Sequence, residues 1–183
     1  MPQSLDNPPL SRFRTRYPTD AENRLGFASI CNLSRWLSMA LRALIFDVDG
    51  TLANTERDGH RPAFNAAFAE VGLPWHWDEA FYGSLLNVAG GLERIRHYAQ
   101  QHDPATCARP DFDDLLHRLH DIKTRNYQRL LAAGAIPLRE DVGQLICDAR
   151  TEGVRLAISS SSKLENVVGL LRANLGPNAD SWF

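Results

Sequence analysis

Two carboxylates separated by one residue, Asp47 and Asp49, have the types and spacing that most directly suggest chemistry. They follow the apolar run Ala43–Phe46, which is too short for a helix and typical of a strand buried on both faces. Positions i and i+2 of an extended segment point the same way, so we expect both carboxylates to share one small volume. Ligands bind outside the carboxyl ends of parallel strands, which makes this volume a candidate site.

Two like charges held this close need a cation or a proton to neutralise them. Mg²⁺ prefers oxygen ligands and usually enters a site through one or two carboxylates plus a phosphate, so Asp47 and Asp49 are predicted metal ligands. One carboxylate could then attack phosphorus and form an aspartyl-phosphate, while its neighbour handles the proton of the leaving group. The alternative is a strand followed by a simple Asp-Gly turn.

The segment Phe46–Leu52 resembles the first motif of the haloacid dehalogenase superfamily of phosphatases and mutases. Residues 55–65 are similar to its CbbY and phosphoglycolate-phosphatase-like branch, whose CbbY members are sugar-phosphate phosphatases. The resemblance runs from about Leu41 to Phe183. It implies that Asp47 is the nucleophile and Asp49 the general acid and base. It also implies a Mg²⁺ cofactor held by these two residues, the second through its backbone carbonyl, and a phosphate contact at Thr51.

A second apolar strand, Val154–Ile158, is followed by four serines and a predicted helix over Leu164–Asn174. Hydroxyls and the free N–H groups of a helix start both suit an anion, although a plain polar loop is the alternative. By resemblance to the second motif of the superfamily, Ser160 is the expected phosphate ligand. Ser161 is assigned to the same site, and Lys163 could add charge.

Between the two strands, residues 55–133 show apolar residues at helical spacing and are predicted to form a helical bundle. By resemblance this bundle is a cap that closes over the substrate and excludes water. Glu56 and His60 are four residues apart on one predicted helix face, where the resemblance assigns them to sugar hydroxyls and a solvated pair is the alternative. Gly90-Gly91 resembles the cap loop that reads the substrate, although Leu92 stands where the family often has lysine.

Three further features of the cap are expected. Asp78 can cap a second helix, residues 104–110 are predicted to be a loop, and Trp75-His76-Trp77 is expected to pack at the cap surface.

The fold class expected from these elements is α/β, with a partial Rossmannoid core of parallel strands and an inserted helical cap. The core comprises residues 39–54 and 134–183. The family pattern continues with a lysine and an acidic pair, and no such segment follows Ser160. We therefore expect the C-terminal part of the core to be missing.

Residues 1–38 lack a sustained apolar period and are predicted to be a disordered extension, with an amphipathic turn or two at Phe27–Leu37. Five arginines in this stretch make a plastid transit peptide conceivable, but acidic residues interrupt it. Three widely spaced cysteines indicate a reduced, cytoplasmic compartment. A net charge of −2 argues against nucleic-acid binding, no apolar run is long enough to span a membrane, and a monomer is expected.

The sequence thus predicts a Mg²⁺-dependent phosphatase that acts on a small sugar phosphate through an aspartyl-phosphate, with activity impaired by the incomplete core. The CbbY likeness suggests a pentulose bisphosphate as substrate. Two alternatives stay open. One is a phosphomutase similar to β-phosphoglucomutase, and the other is a catalytically inactive fragment that binds a phosphosugar or a partner protein.

Overall fold

The computed structural model describes residues 41–183, so the predicted extension over 1–38 and its turns at Phe27–Leu37 lie outside the described residues. Two strands, β1 (Ala43–Phe46) and β2 (Arg155–Ile158), flank a helical segment. The helices are α1 (Arg61–Glu70), α2 (Glu79–Leu85), α3 (Gly91–His102), α4 (Pro104–Cys107), α5 (Phe112–Ala132), α6 (Val142–Thr151) and α7 (Leu164–Leu175), with a π-turn (Glu56–His60) before α1 and a 3₁₀ turn (Ala179–Trp182) after α7.

The two strands pair in parallel, with Ala43 opposite Arg155 and Phe46 opposite Ile158. Phe46 and Leu156 are buried on one face of this sheet, whereas Ile45 on the other face is 70% exposed. The predicted α/β class, with parallel strands and an inserted helical segment, is confirmed.

The buried side chains form two hydrophobic clusters. The first joins the strands to α6 and α7 through residues such as Phe46, Ile146, Leu156 and Leu170. The second lies among α1, α2, α3 and the first half of α5, and includes Phe64, Trp77, Ile95 and Leu119. Helices α1 and α5 contribute to both clusters, since Ala63 and Leu131 pack in the first. The domain boundaries predicted around residues 55 and 133 stay a prediction.

The helix caps explain where two elements begin. The Asp78 carboxylate accepts a hydrogen bond of 2.7 Å from the Phe81 N–H and caps α2, as predicted. The loop predicted over residues 104–110 is wrong in its first half, because α4 forms one helical turn there. Asp103 accepts a hydrogen bond of 3.1 Å from the Thr106 N–H, and Pro104 occupies the first helical position, where its missing N–H costs nothing.

The tryptophans expected at the cap surface are instead buried in the second hydrophobic cluster. Trp77 is fully enclosed, with its ring 4.9 Å from that of Phe64 and 4.7 Å from that of Phe68. Trp75 is also buried, whereas His76 between them is exposed. Alternation in an extended segment turns both indoles to the same side, and this side faces the second hydrophobic cluster. None of the helices within residues 41–183 is both long and apolar enough to cross a bilayer.

Candidate active site

A cavity of about 300 Å³ lies where the segments following both strands meet the π-turn, α3 and α5. Four of the predicted site residues line it: Asp49, Glu56, His60 and Ser161. Gly90 and Gly91, the predicted cap loop, line it as well. The other three predicted residues, Asp47, Thr51 and Ser160, are not among the lining residues, so their roles stay predictions.

The chain turns sharply after β1 and thereby directs Asp49 toward the cavity. The Leu52 N–H donates to the Val48 carbonyl at 2.9 Å, and the Gly50 N–H donates to the Ala53 carbonyl at 2.8 Å. Gly50 has a φ of 78°, a left-handed conformation that a side chain would strain. Thr51 lies on this turn and is exposed.

Hydroxyl groups hold both oxygens of the Asp49 carboxylate. Thr55 Oγ1 donates to Oδ1 at 2.5 Å, and Ser162 Oγ donates to Oδ2 at 2.6 Å. The Ser159 N–H also donates to the Phe46 carbonyl at 2.8 Å, so the segments after β1 and β2 are joined twice. With one hydrogen bond on each of its oxygens, the orientation of the Asp49 side chain is well defined.

Asp47 follows β1 directly and is exposed. Its carboxylate has no hydrogen-bonding partner within residues 41–183. The strand ends at Phe46, and the turn begins two residues later, so the alternation of an ideal strand does not extend through both acids. The shared volume for the two carboxylates therefore stays a prediction.

The hydroxyl groups of the serine loop after β2, residues 159–162, have different partners. Ser160 Oγ accepts a hydrogen bond of 3.1 Å from the Ser162 N–H and so shapes the loop itself. Ser161 lines the cavity, and Ser162, which the sequence did not single out, holds Asp49. Lys163 lies at the start of α7 and also lines the cavity.

Glu56 is part of a polar network with side chains of α2 and α3. Its Oε2 accepts a hydrogen bond of 2.5 Å from the Tyr82 hydroxyl, and Arg94 Nη1 lies 3.8 Å from the same oxygen. Arg94 Nη1 also donates to the Tyr82 hydroxyl at 2.8 Å. Burial, reinforced by the Glu56 carboxylate, raises the pKa of Tyr82, so its hydroxyl stays protonated.

Arg94 also fixes the connection between α2 and α3. Its Nε donates to the Leu85 carbonyl at 3.1 Å and its Nη2 to the Val88 carbonyl at 3.2 Å. The guanidinium is nearly buried. Through Arg94 the loop that carries Gly90 and Gly91 is therefore tied to Glu56.

His60 is packed between two side chains of α5. Its ring stacks on Tyr127 with centroids 4.2 Å apart, and Lys123 Nζ lies 3.0 Å from its Nδ1. Burial lowers the pKa of His60 to about 3, and the positive charges of Lys123 and Arg94 add to this effect. Burial also lowers the pKa of Lys123 to about 8. At neutral pH the ammonium therefore donates to Nδ1, which leaves the imidazole proton on Nε2.

Among the residues of this site that sequence reasoning missed, five make the contacts described above. They are Tyr82, Arg94, Lys123, Tyr127 and Ser162. For Lys123 a signal existed, because it lies four residues from both Leu119 and Tyr127 and so on the apolar stripe of α5. A lysine on such a stripe is uncommon unless its charge has a use.

The residues at the end of β1 are chemically suited to Mg²⁺. Asp47 has a free carboxylate, and Asp49 lies two positions away. Within residues 41–183 no three histidine, cysteine or acidic side chains are grouped to hold a metal ion. A site made of one or two carboxylates and completed by a substrate phosphate and water is nevertheless the usual form of Mg²⁺ binding.

Known proteins similar to this chain include the plasmid-encoded protein CbbY of Cupriavidus necator, which is 48% identical over 136 residues. That match covers 74% of this chain and 53% of CbbY. Protein CbbY of Cereibacter sphaeroides is 41% identical over 145 residues, covering 78% of this chain and 60% of its own length.

Solved structures of CbbY from Rhodobacter sphaeroides resemble the fold. The complex with phosphate has a TM-score of 0.61 at 41% identity, and a mutant in complex with xylulose-(1,5)bisphosphate has a TM-score of 0.60 at 40% identity. Each match covers 78% of this chain and 61% of the CbbY chain. The chain thus spans between half and two thirds of the length of these relatives.

The family model of haloacid dehalogenase-like hydrolases matches residues 41–183, which include β1, the cavity and β2. This range also contains the motif Phe46–Leu52 and every predicted site residue. The chain therefore belongs to the haloacid dehalogenase-like hydrolases.

Proposed function

We propose that this chain is a Mg²⁺-dependent phosphatase that acts on a small sugar phosphate. The observation that carries the proposal is the Asp49 carboxylate, held by Thr55 and Ser162 at a cavity where the segments after two parallel strands meet. A CbbY structure at 40% identity contains xylulose-(1,5)bisphosphate, which supports a pentulose bisphosphate as the substrate class. Because the chain spans only part of its relatives, their activity and substrate enter here as proposals.

The proposed reaction has two steps. In the first, an Asp47 carboxylate oxygen attacks phosphorus, the bond from phosphorus to the sugar oxygen breaks, and protonated Asp49 gives its proton to that oxygen. In the second, the Asp49 carboxylate takes a proton from water as the water oxygen attacks phosphorus. The bond to Asp47 then breaks, so inorganic phosphate leaves and both acids return to their starting states.

Other residues of the chain would bind the two ends of the substrate. Ser160, Ser161 and Thr51 are the proposed phosphate ligands. Glu56 and His60 would contact sugar hydroxyls, since one offers carboxylate oxygens and the other an Nε2–H donor. Mg²⁺ held by Asp47 and Asp49 would supply positive charge to the phosphoryl group.

The test is phosphate release from a panel of sugar phosphates that includes xylulose 1,5-bisphosphate, with and without Mg²⁺. We expect release that requires Mg²⁺ and that falls by about three orders of magnitude or more in Asp47→Asn. The matched control is Asp113→Asn, an exposed acid whose partner Arg96 lies 3.0 Å away, outside the cavity. Release that survives in Asp47→Asn, or no release from any substrate, would contradict the proposal.

Product analysis separates hydrolysis from phosphoryl transfer within the sugar. With a hexose 1-phosphate, a phosphatase yields inorganic phosphate and free hexose, whereas a phosphomutase yields hexose 6-phosphate. We expect inorganic phosphate.

A further inference from the structure

The chain contains only two lysines among its 20 lysines and arginines, and both line the cavity. Lys123 reaches the cavity from α5, and Lys163 from the residue that precedes α7. An arginine guanidinium is not deprotonated in proteins, whereas a lysine can lose its proton and become a nucleophile. The two side chains that can offer a free amine are therefore both placed where a ligand would bind.

The two amines have different surroundings. Lys163 is exposed, whereas Lys123 is half-buried. The Lys123 Nζ lies 4.9 Å from the centre of the Phe64 ring and 5.5 Å from the centre of the Tyr127 ring. It also lies 3.0 Å from His60 Nδ1. None of the ion pairs among residues 41–183 includes Lys123, so no carboxylate holds it in the charged form.

These surroundings favour the uncharged amine of Lys123. Burial, together with the positive charges of Arg94 and Lys163, lowers the pKa of Lys123 to about 8. The carboxylates of Glu56 and Asp49 act in the opposite direction but do not restore the ordinary value. At pH 7.5 about a quarter of the Lys123 side chains are then free amines, against roughly one in a thousand for a lysine of ordinary pKa. Desolvation and a neighbouring cation are the two conditions that activate lysines toward carbonyl groups.

The contact with His60 is compatible with a reactive amine. A neutral Lys123 can still donate one N–H to Nδ1 of the imidazole, which accepts there because its own proton is on Nε2. This hydrogen bond leaves the nitrogen lone pair available to a group bound in the cavity.

We propose that Lys123 is a carbonyl-reactive residue whose amine forms a reversible imine with a small phosphorylated aldehyde or ketone bound in the cavity. The nitrogen lone pair attacks the carbonyl carbon, the nitrogen loses a proton and the carbonyl oxygen gains one, which gives a carbinolamine. The hydroxyl group then leaves as water while the C=N bond forms, so one water molecule is the only by-product. Lys163 and the Ser161 hydroxyl, which line the same cavity, would attract the phosphate group.

The reactivity of Lys123 requires neither turnover nor Mg²⁺, and it therefore does not depend on the proposed function. An open-chain pentulose bisphosphate carries a ketone and belongs to the same chemical class. If no sugar phosphate is hydrolysed, the proposed function fails and the expected reactivity of Lys123 is unchanged.

The test uses pyridoxal 5′-phosphate, a probe that carries both an aldehyde and a phosphate. The wild-type chain is incubated with the probe at pH 7.5, sodium borohydride reduces the imine to a stable secondary amine, and peptide mapping by mass spectrometry locates the adduct. We expect Lys123 to be labelled at least tenfold more than Lys163, although Lys163 is the more exposed of the two. Equal labelling of the two lysines, or preferential labelling of Lys163, would overturn the proposal.

The dependence of labelling on pH gives a second readout. The rate at Lys123 is expected to reach half its maximum near pH 8. A rate that still rises steeply up to about pH 10.5, as for an ordinary lysine, would contradict the activation of this amine.

A lysine introduced nearby is the matched control for position. Arg125→Lys places an amine two residues further along α5, at an exposed position outside the cavity whose present partner, Glu70, is 3.6 Å away. We expect this amine to be labelled no faster than Lys163, and labelling as fast as at Lys123 would show that the cavity confers no reactivity. Lys123→Arg, which keeps a cation beside His60 but cannot form an imine, should abolish the preferred adduct.

Competition tests whether the ligand carries a phosphate. Excess inorganic phosphate is expected to slow the labelling of Lys123 at least threefold relative to chloride at equal ionic strength. Labelling that inorganic phosphate leaves unchanged would overturn the assignment of a phosphorylated ligand.

Discussion

At the scale of single residues, His60 is held as a neutral imidazole. The ring is buried against Tyr127, and the nearest charge is the Lys123 ammonium, which donates to Nδ1. Protonation of His60 would remove this acceptor and place two positive charges 3.0 Å apart. Protonation of His60 is therefore disfavoured in the folded chain, and its pKa lies well below the ordinary value.

This arrangement predicts a stability that depends on pH. The pKa of His60 is about 3 in the folded chain against an ordinary value of 6.5. Below pH 6.5 the unfolded chain takes up a proton that the folded chain does not, so the free energy of unfolding falls with falling pH, by up to about 1.4 kcal/mol per pH unit. Above pH 6.5 His60 is neutral in both the folded and the unfolded chain, so its contribution to the free energy of unfolding does not change with pH.

Urea denaturation between pH 7.5 and 4.5 measures this effect. We expect His60→Asn, which keeps an acceptor for Lys123, to show a shallower decline than the wild type. The exposed His97→Asn is the control for loss of an imidazole. Parallel curves for the wild type and His60→Asn would show that His60 titrates normally.

At the scale of elements, the fit of the π-turn against the core depends on Gly59. A methyl group there would overlap Ile136 and Tyr127, whereas at Gly83, on the exposed side of α2, it would meet no atom within 4 Å. The two positions therefore separate the effect of helix propensity from that of close packing.

We expect Gly59→Ala to lower the free energy of unfolding by about 1–3 kcal/mol through overpacking. Gly83→Ala is expected to raise it by roughly 0.5–1 kcal/mol, because alanine is the better helix former. Equilibrium unfolding in urea measures both. An unchanged stability in Gly59→Ala would contradict the close approach of this turn to the core.

The strands could be predicted from short apolar runs, and the long helices from apolar residues at helical spacing. Ala43–Phe46 forms a strand, the predicted strand Val154–Ile158 forms over Arg155–Ile158, and α5 buries Leu116, Leu119 and Ile122. The π-turn could not be predicted, since a spacing of four residues is also an α-helical spacing. The turn also packs at Gly59 against Ile136 and Tyr127, which lie far along the chain, and no local pattern signals such contacts.

That Asp49 and Ser161 lie at one cavity could be predicted, because each follows an apolar strand, whereas their roles stay predictions. The sequence could not show which of the four serines binds Asp49. Their side chains are identical, and only the turn geometry of the loop distinguishes them. Tyr82 and Arg94 contact Glu56 across 26 and 38 positions, and no local pattern signals such contacts.

At the scale of the whole molecule, the parallel sheet is covered on one face only within residues 41–183. Parallel sheets normally bury both faces. Here Phe46 and Leu156 are packed on one face, whereas Ile45 on the opposite face is largely exposed. The monomeric state and the cytoplasmic compartment stay predictions.

Because only one face of the sheet is packed, substitutions at the neighbouring positions 45 and 46 are expected to change the free energy of unfolding by very different amounts. Phe46→Ala is expected to lower the free energy of unfolding by about 3–5 kcal/mol, because it empties a packed position. Ile45→Thr, which keeps a β-branched side chain, is expected to change it by less than about 0.5 kcal/mol. Urea denaturation of both variants measures this. A loss at Ile45 as large as that at Phe46 would mean that this face is covered in solution.

The hydrogen bond from Ser162 to Asp49 joins positions 113 residues apart. The helices between them form through local contacts, which arise quickly, whereas pairings across such a distance in sequence form slowly. We therefore expect the pocket to be among the last features to form as the chain folds. The fraction of molecules that bind ligand would then report the fraction that have finished folding.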